Sequence, residues 1–406
     1  MSIAVVIETF PKRSERFLIR EMLELVRQGL DLRVIALVRG EPAALAESPY
    51  RELAPRVEWL PHVLSARSLA DKAQVAAGRP GRLLKLVPQA VAAGLSDPRR
   101  LAGILPRLGL LSPSLAHAAE RAGAGLLWAH FASLPGALAW MASRLAGLPF
   151  ALSCHAWDVF VNRTLVAAQL AEARLVTVCS RAALGHLQTH YGSAADKVEL
   201  VYHGLPSAPV PGPRPPLPGR RFRVLGVGRL VPKKGFRHLI EAAALAPGGF
   251  EVELAGDGPE RADLARLAAA RKVEGRVIFD GELGEEGLAA ACARADAVCM
   301  PSVVAGDGDR DGVPNALLEA MAASLPAVTT DAGGLPEAAQ DGRTGLVVPQ
   351  ADPQALAEAI ERLERDGELR ARLVSGAHEL LRERFSLERN AARLAGLLRA
   401  AAGPGA

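Results

Sequence analysis

Apolar residues along this chain fall into short runs that alternate with stretches of helical periodicity, as expected where strands and helices follow one another. Ile3 to Ile7 is a run of five apolar residues, and the segment from Phe17 to Gln28 places Leu18, Ile19, Met22, Leu23, Leu25 and Val26 on one face ahead of Gly29. Arg33 to Val38 reads as a second strand, which makes the first 40 residues a βαβ unit of a parallel sheet. Further strands are predicted at 126–130, 150–153 and 175–179, then at 223–227, 250–255, 276–279, 297–300 and 327–329. Ser386 is placed to cap a last helix that runs to about Arg399.

Between the two series of strands, seven of the thirteen residues from Pro206 to Pro218 are proline. Proline removes the backbone donor that helices and interior strands need, so this stretch is a stiff, extended connector. The expected fold class is therefore α/β with two Rossmann-like parallel-sheet domains. The first spans 1–205 and takes back the C-terminal helix 386–400, the linker spans 206–220, and the second domain spans 221–385. A chain of 406 residues suits two domains at the usual roughly 100 to 200 residues each.

Composition narrows the picture. Aromatic residues make up 4% of the chain, so helices must pack through Leu, Ala and Val. The 48 basic and 44 acidic residues leave a net charge of +4, too balanced for a nucleic-acid-binding surface. Cys154, Cys179, Cys292 and Cys299 form no CxxC pair and have no histidine at zinc-ligand spacing. They read as reduced, mostly buried thiols, and with no stretch of signal-peptide or membrane-spanning length they predict a cytoplasmic location.

Three segments carry candidate chemistry. In VLGVGRLVPKKGF a strand ends in a loop with Gly228, Arg229, Lys233 and Lys234, and Gly235 opens a helix. Cations beside a helix N-terminus at the carboxyl end of a parallel strand suit a diphosphate, although a solvated basic turn has the same sequence. In VELAGDGPE, Gly256 and Gly258 mark a close approach of backbone, and Pro259 is suited to a first helical turn. In GDGDRDGVPNALLEAMA, Asp311 and Glu319 stand eight positions apart across a loop-to-helix transition, with Glu319 expected about two turns into the helix. A carboxylate there can accept two sugar hydroxyls, while the amides of Gly312, Val313, Pro314 and Asn315 lie at the helix start, proline contributing geometry only. Asp307, Asp309 and Asp311 copy the first half of a calcium loop, but its twelfth position is Leu318, not the required Glu.

His155, in SCHAWD, is either a site histidine or one hydrogen-bonded within a strand-end turn. The basic residues Arg79, Arg82, Lys85, Arg99, Arg100 and Arg107 face one acid, Asp97, among many aliphatic residues. This pattern suits either a peripheral contact with anionic lipid or a snorkelling surface, and prolines 80, 88, 98 and 106 are expected to break any long helix there.

Taken together, FPKRSERFLIREMLEL, HFASLPGALAWMASRLAGLPFALSCHAWDVF, VTVCSRAALGHL, VYHGLP, VGRLVPKKGF, AGDGPE, DGVPNALLEAMA and GGLPE resemble the retaining glycosyltransferases of family 4 over nearly the whole chain. Among them the chain is most similar to the colanic-acid and exopolysaccharide type. The resemblance implies the GT-B fold, its two domains facing a central cleft, with the acceptor on the first domain and a nucleotide-diphosphate sugar, UDP- or GDP-linked, on the second. It implies a hexosyltransferase that needs no metal or other cofactor and acts on a glycan or lipid-linked acceptor. By resemblance Arg229 and Lys234 bind the diphosphate, Glu319 the ribose, and Asp311 with the following amides the transferred sugar. Gly228, Gly256 and Gly258 line the donor loops, His155 faces the sugar, and Asp158 helps to orient it or the acceptor. Two departures stand out: Asp311 replaces the family's usual Glu, and ETFPKRSERF lacks the usual glycine pair. On those departures rests a competing reading, a non-catalytic subunit that binds nucleotide sugar. A phosphorylase would call for a cofactor lysine, and no such motif is present.

Overall fold

The computed structural model describes residues 2–94, 97–207, 212, 219–246 and 248–403. Most of the proline-rich linker, at 208–211 and 213–218, lies outside the described residues. Two compact units are formed, one by Met1–Tyr202 with Leu387–Ala406 and the other by His203–Ser386.

The first unit is built on seven strands: β1 (Ser2–Phe10), β2 (Leu32–Arg39), β3 (Val57–Trp59), β4 (Ala124–His130), β5 (Phe150–Cys154), β6 (Leu175–Val178) and β7 (Val198–Leu200). Their order is β3-β2-β1-β4-β5-β6-β7 and every neighbouring pair is parallel. The second unit holds six more: β8 (Arg223–Val227), β9 (Glu251–Ala255), β10 (Val277–Gly281), β11 (Ala297–Met300), β12 (Ala327–Thr330) and β13 (Leu346–Val348). These are also parallel, in the order β10-β9-β8-β11-β12-β13. Each sheet runs outward from a central strand and then restarts on that strand's other side. The order reverses between β1 and β4 and again between β8 and β11, where an open parallel sheet leaves a crevice at its carboxyl end.

Burial on both faces accounts for the apolar runs. Ile3, Val5 and Ile7 point into one core, while Ala4 and Val6 point into the core on the opposite face of the same sheet. The C-terminal helix Leu387–Ala402 lies on the first of these faces, where Ala391, Leu394, Ala395 and Leu398 join the core with Leu18, Met22 and Leu25. Gln28 Nε2 donates to the Glu388 carbonyl (2.9 Å) and Arg393 pairs with Glu199 (2.8 Å), which ties the start and the middle of the helix to this unit. Within the second unit its first and last few residues meet, where the Leu205 N–H donates to the Phe385 carbonyl at 2.8 Å.

Two of the four prolines expected to break the basic region do so, Pro80 and Pro98 each opening a new helix, whereas Pro88 and Pro106 do not. Helices run over Pro80–Gly94 and Pro98–Arg121, with Pro88 inside the first and Pro106 and Pro113 inside the second. Pro80 and Pro98 sit in first turns, where no donor is needed, and Asp97 caps the longer helix by accepting from the Arg100 N–H. An interior proline costs about 3 kcal/mol. Leu101, Leu108 and Leu115, spaced at seven residues and buried, each return roughly 1.5 to 3 kcal/mol. None of the helices among the described residues is long and apolar enough to cross a membrane.

Candidate active site

In the second unit the loops that follow β8, β9, β11 and β12 converge at the carboxyl ends of the strands. Gly256 shows how tightly: its φ is +153°, and a Cβ there would lie 1.9 Å from the Gly228 carbonyl oxygen. The close approach predicted at 256 is thus to the neighbouring loop. The Leu230 N–H donates to Asp257 O (2.9 Å) and the Glu260 N–H to Leu230 O (3.0 Å), so backbone hydrogen bonds join the first two loops. Pro259 lies in the turn ahead of helix Arg261–Ala270, two residues earlier than a first helical position.

Gly228 has a different role. A Cβ at this position would lie 2.9 Å from Cε of Lys234, so the lysine stem crosses the strand end where the glycine leaves room. Gly235, at φ +63°, then caps helix Phe236–Leu245. Arg229 is exposed at the tip of this loop.

Across the β8–β11 reversal, the loop after β11 brings carboxylates to these lysines. Lys234 Nζ donates to Asp311 Oδ2 at 2.8 Å, and Lys233 Nζ donates to Asp309 Oδ1 at 3.0 Å. Lys233 also stands 3.8 Å from Asp311 Oδ1, and Ser302 Oγ donates to Asp311 Oδ2 at 2.7 Å. Burial alone would raise the Asp311 pKa. The charges of Lys234 and Lys233, with the hydrogen bonds from Lys234 and Ser302, outweigh it and hold the carboxyl below its ordinary value. Asp307 accepts from the Asp309 N–H (2.9 Å). The three aspartates therefore do not converge as a calcium loop requires: two serve lysines and one closes a turn.

Helix Asn315–Ala322 begins directly after Pro314, which is extended and acts as its cap residue. Gly312, Val313 and Asn315 are half-buried at its start. Glu319 is half-buried one turn into the helix, not two, because the helix opens at Asn315 and not within the preceding loop. The Gly334 N–H donates to the Asp311 carbonyl (3.0 Å), which ties the late GGLPE turn to this segment. Cations, a helix start and a carboxylate at one strand reversal can hold a diphosphate and a polyhydroxyl group together.

In the first unit, His155 follows β5 and caps helix Ala156–Phe160. Its N–H donates to Asp158 Oδ2 (3.1 Å), and its Nε2 lies 3.4 Å from His130 Nδ1 at the end of β4. The Phe131 ring packs on His155 at 4.2 Å between centroids, and Phe17 at 5.8 Å. Phe131 adopts φ +72°, a left-handed conformation that is costly for an aromatic residue and that often marks functional sites. Asp158 is fully buried, which pushes its pKa up to about 7 against the hydrogen bond from His155. His155 thus closes a strand-end turn, as one of its two sequence readings has it, and sits in an aromatic and imidazole cluster at the carboxyl end of the sheet.

The sequence reading named Lys233 among the loop cations and Asp309 in the aspartate run, but it missed their pairing and missed Ser302 altogether. Lys233 meets Asp309 across 76 positions, a pairing without local periodicity, although Ser302 was findable as a polar residue just beyond β11.

Comparison with known proteins agrees with this architecture. Residues 14–208 match the model of the glycosyltransferase family 4, and residues 213–380 match that of the glycosyl transferases group 1. The chain belongs to the family 4, group 1 glycosyltransferases, and it has the GT-B fold. It is similar to the putative colanic acid biosynthesis glycosyltransferase WcaL of Salmonella typhimurium, with 26% identity over 98% of this chain and 99% of the relative. It also resembles the alpha-D-kanosaminyltransferase of Streptomyces kanamyceticus at 36% identity, over 43% of this chain and 45% of that enzyme. The chain thus matches about half the length of that relative. Among solved structures, Anabaena Alr3699/HepE in complex with UDP and glucose has a TM-score of 0.71 at 20% identity, over 98% of this chain and all of that one. That likeness concerns the fold.

Proposed function

We propose that this glycosyltransferase moves a hexose from a UDP- or GDP-sugar to a glycan or lipid-linked acceptor in surface-polysaccharide or glycolipid assembly, with retention at the anomeric carbon and without a metal ion. The observation that carries the reading is the gathering of Arg229, Lys233 and Lys234 with the start of helix Asn315–Ala322 and Glu319 at the β8–β11 reversal. As the anomeric bond breaks, negative charge grows on the leaving diphosphate. Arg229 and Lys234 are cations that can stabilise that charge without a metal. Glu319 accepts hydroxyl hydrogens from the ribose, and Asp311 and the amides of 312, 313 and 315 are assigned to the transferred sugar. His155 and Asp158, on the first unit, are assigned to the sugar or acceptor, and the second unit to the donor. No protein base is assigned, because in retaining relatives the leaving phosphate is thought to take the acceptor proton on the same face.

The names of the relatives support the polysaccharide setting, and HepE with UDP and glucose supports a nucleotide-sugar donor. The non-catalytic alternative is less favoured, since Arg229, Lys234 and Glu319 are all retained. The test is calorimetric binding of UDP- and GDP-sugars in chelator, with wild type and Glu319→Ala, followed by the anomeric configuration of any product. Donor binding weakened about tenfold or more in the variant, with retained configuration, is the expected result. Tight donor binding without transfer to any acceptor would favour the non-catalytic reading, and an inverted product would sink the retaining mechanism.

A further inference from the structure

Lys234 is assigned above to the donor diphosphate, yet in this structure its ammonium is already occupied by Asp311 at 2.8 Å. The neighbouring lysine is occupied too, by Asp309 at 3.0 Å. Two cations and two anions cancel, so a diphosphate approaching the loop meets a neutral cluster with Arg229 exposed beside it. The two partners of the inner pair are not equally free to move. Asp311 is buried and its backbone is clamped: the Gly334 N–H donates to its carbonyl, and a Cβ at Gly333 would lie 2.1 Å from that oxygen. Lys234 has a flexible four-carbon stem lying over Gly228, where no side chain obstructs it. When the pair opens, the lysine leaves and the aspartate stays. The carboxylate is not stranded, because Ser302 Oγ still donates to it at 2.7 Å and Lys233 stands at 3.8 Å.

We propose that Asp311 is a positioning counter-ion that holds Lys234 in the unliganded protein and yields it to the donor diphosphate, so that carboxylate and diphosphate compete for one ammonium. This deepens the donor-binding reading above and rests on it. The exchange also orders the events of recognition. Asp311 Oδ2 becomes available to a sugar hydroxyl only after the diphosphate has drawn Lys234 away, so a bare nucleoside diphosphate bears the cost of opening the pair while a nucleotide sugar recovers part of it. Replacing Asp311 by Asn keeps the shape and the hydrogen-bond acceptor but removes the competing charge.

The test is isothermal titration of wild type, Asp311→Asn, Asp311→Glu, Lys234→Met and the Asp311→Asn/Lys234→Met double variant with UDP, GDP and their glucose and mannose conjugates, in chelator. Thermal melting of each protein checks that it is folded. Asp311→Asn is expected to bind the bare diphosphate at least about fivefold more tightly than wild type, since a charge-assisted pair no longer has to open. It is also expected to lose the extra affinity that the sugar confers. Asp311→Glu retains the competing charge and is expected to show no tightening, and in the Lys234→Met background the Asn substitution should leave binding of the bare diphosphate unchanged. Unchanged or weaker diphosphate binding by a folded Asp311→Asn protein overturns the proposal while leaving the donor site standing. Tightening that persists without Lys234 overturns it as well, by showing a general charge effect. If no variant, wild type included, binds any nucleoside diphosphate, the donor reading falls and this proposal falls with it.

Discussion

Asp158 shows how one buried carboxyl can make a site sensitive to pH. Its pKa is raised from 3.8 to about 7 by burial, so the folded protein binds this proton more tightly than the unfolded chain does. The sign follows from linkage: the folded state holds more protons between the two values, so this residue lowers stability as pH rises from about 4 to about 7. At full ionisation the cost is on the order of 4 kcal/mol, at about 1.4 kcal/mol per unit. Asn at this position can still accept from the His155 N–H and carries no charge. Asp158→Asn is therefore expected to melt at a higher temperature than wild type at pH 8 and at nearly the same temperature at pH 4. Calorimetric melting across that range checks it, and a constant difference between the two proteins would show that Asp158 does not titrate in this window. The residue was legible in the sequence only as part of the HAxD string. Its burial beneath the turn, and the left-handed Phe131 beside it, come from tertiary packing that no local pattern encodes.

At the scale of elements, the loops of the second unit form a single mass of backbone, and Gly256 is where that shows most clearly. Alanine there would place its Cβ 1.9 Å from the Gly228 carbonyl oxygen at a φ of +153°, and relief would require the first donor loop to move. Gly256→Ala is expected to cost about 2 kcal/mol or more and to weaken nucleotide-sugar binding in the same protein, measured by denaturant unfolding and calorimetry. A fully stable variant with normal binding would show that the two loops are not coupled. The ten strands expected from apolar runs are all present, because parallel strands buried on both faces are continuous runs of aliphatic residues. The sequence reading missed β3, β7 and β13, of three residues each, VEW, VEL and LVV. Such short strands at or near the sheet edges have too little length for a period. Prolines misled for a related reason: local chemistry says that Pro106 ends a helix, and the buried stripe of Leu101, Leu108 and Leu115 overrides it.

For the whole molecule, the remaining question is whether the basic helical region meets a membrane, as a lipid-linked acceptor would require. Pro80–Gly94 and Pro98–Arg121 turn their leucine stripes inward, yet Leu84 is 77% and Leu110 is 44% exposed. Lys85, Arg99 and Arg107 are exposed on the same two helices. The one acid of the stretch between Arg79 and Arg107, Asp97, is half-buried, accepts from Thr164 Oγ1 at 3.1 Å and pairs with Arg100 at 3.7 Å. Isolated exposed leucines are ordinary, but leucines beside exposed cations suit the headgroup layer of an anionic bilayer. Each Lys or Arg near such a surface contributes about 1 kcal/mol, screened by salt over about 10 Å. The protein is expected to co-sediment with vesicles of phosphatidylglycerol and phosphatidylcholine at low salt, and much less with phosphatidylcholine alone. Raising the salt should release it. Lys85→Glu/Arg107→Glu should abolish the binding, whereas Leu84→Ser should weaken it even at low salt, because the leucine contributes burial and not charge. Equal binding to neutral and anionic vesicles, or binding unaffected by the charge reversals, would mean that these helices only cover the first sheet, and that a lipid-linked acceptor would have to reach the enzyme by another surface.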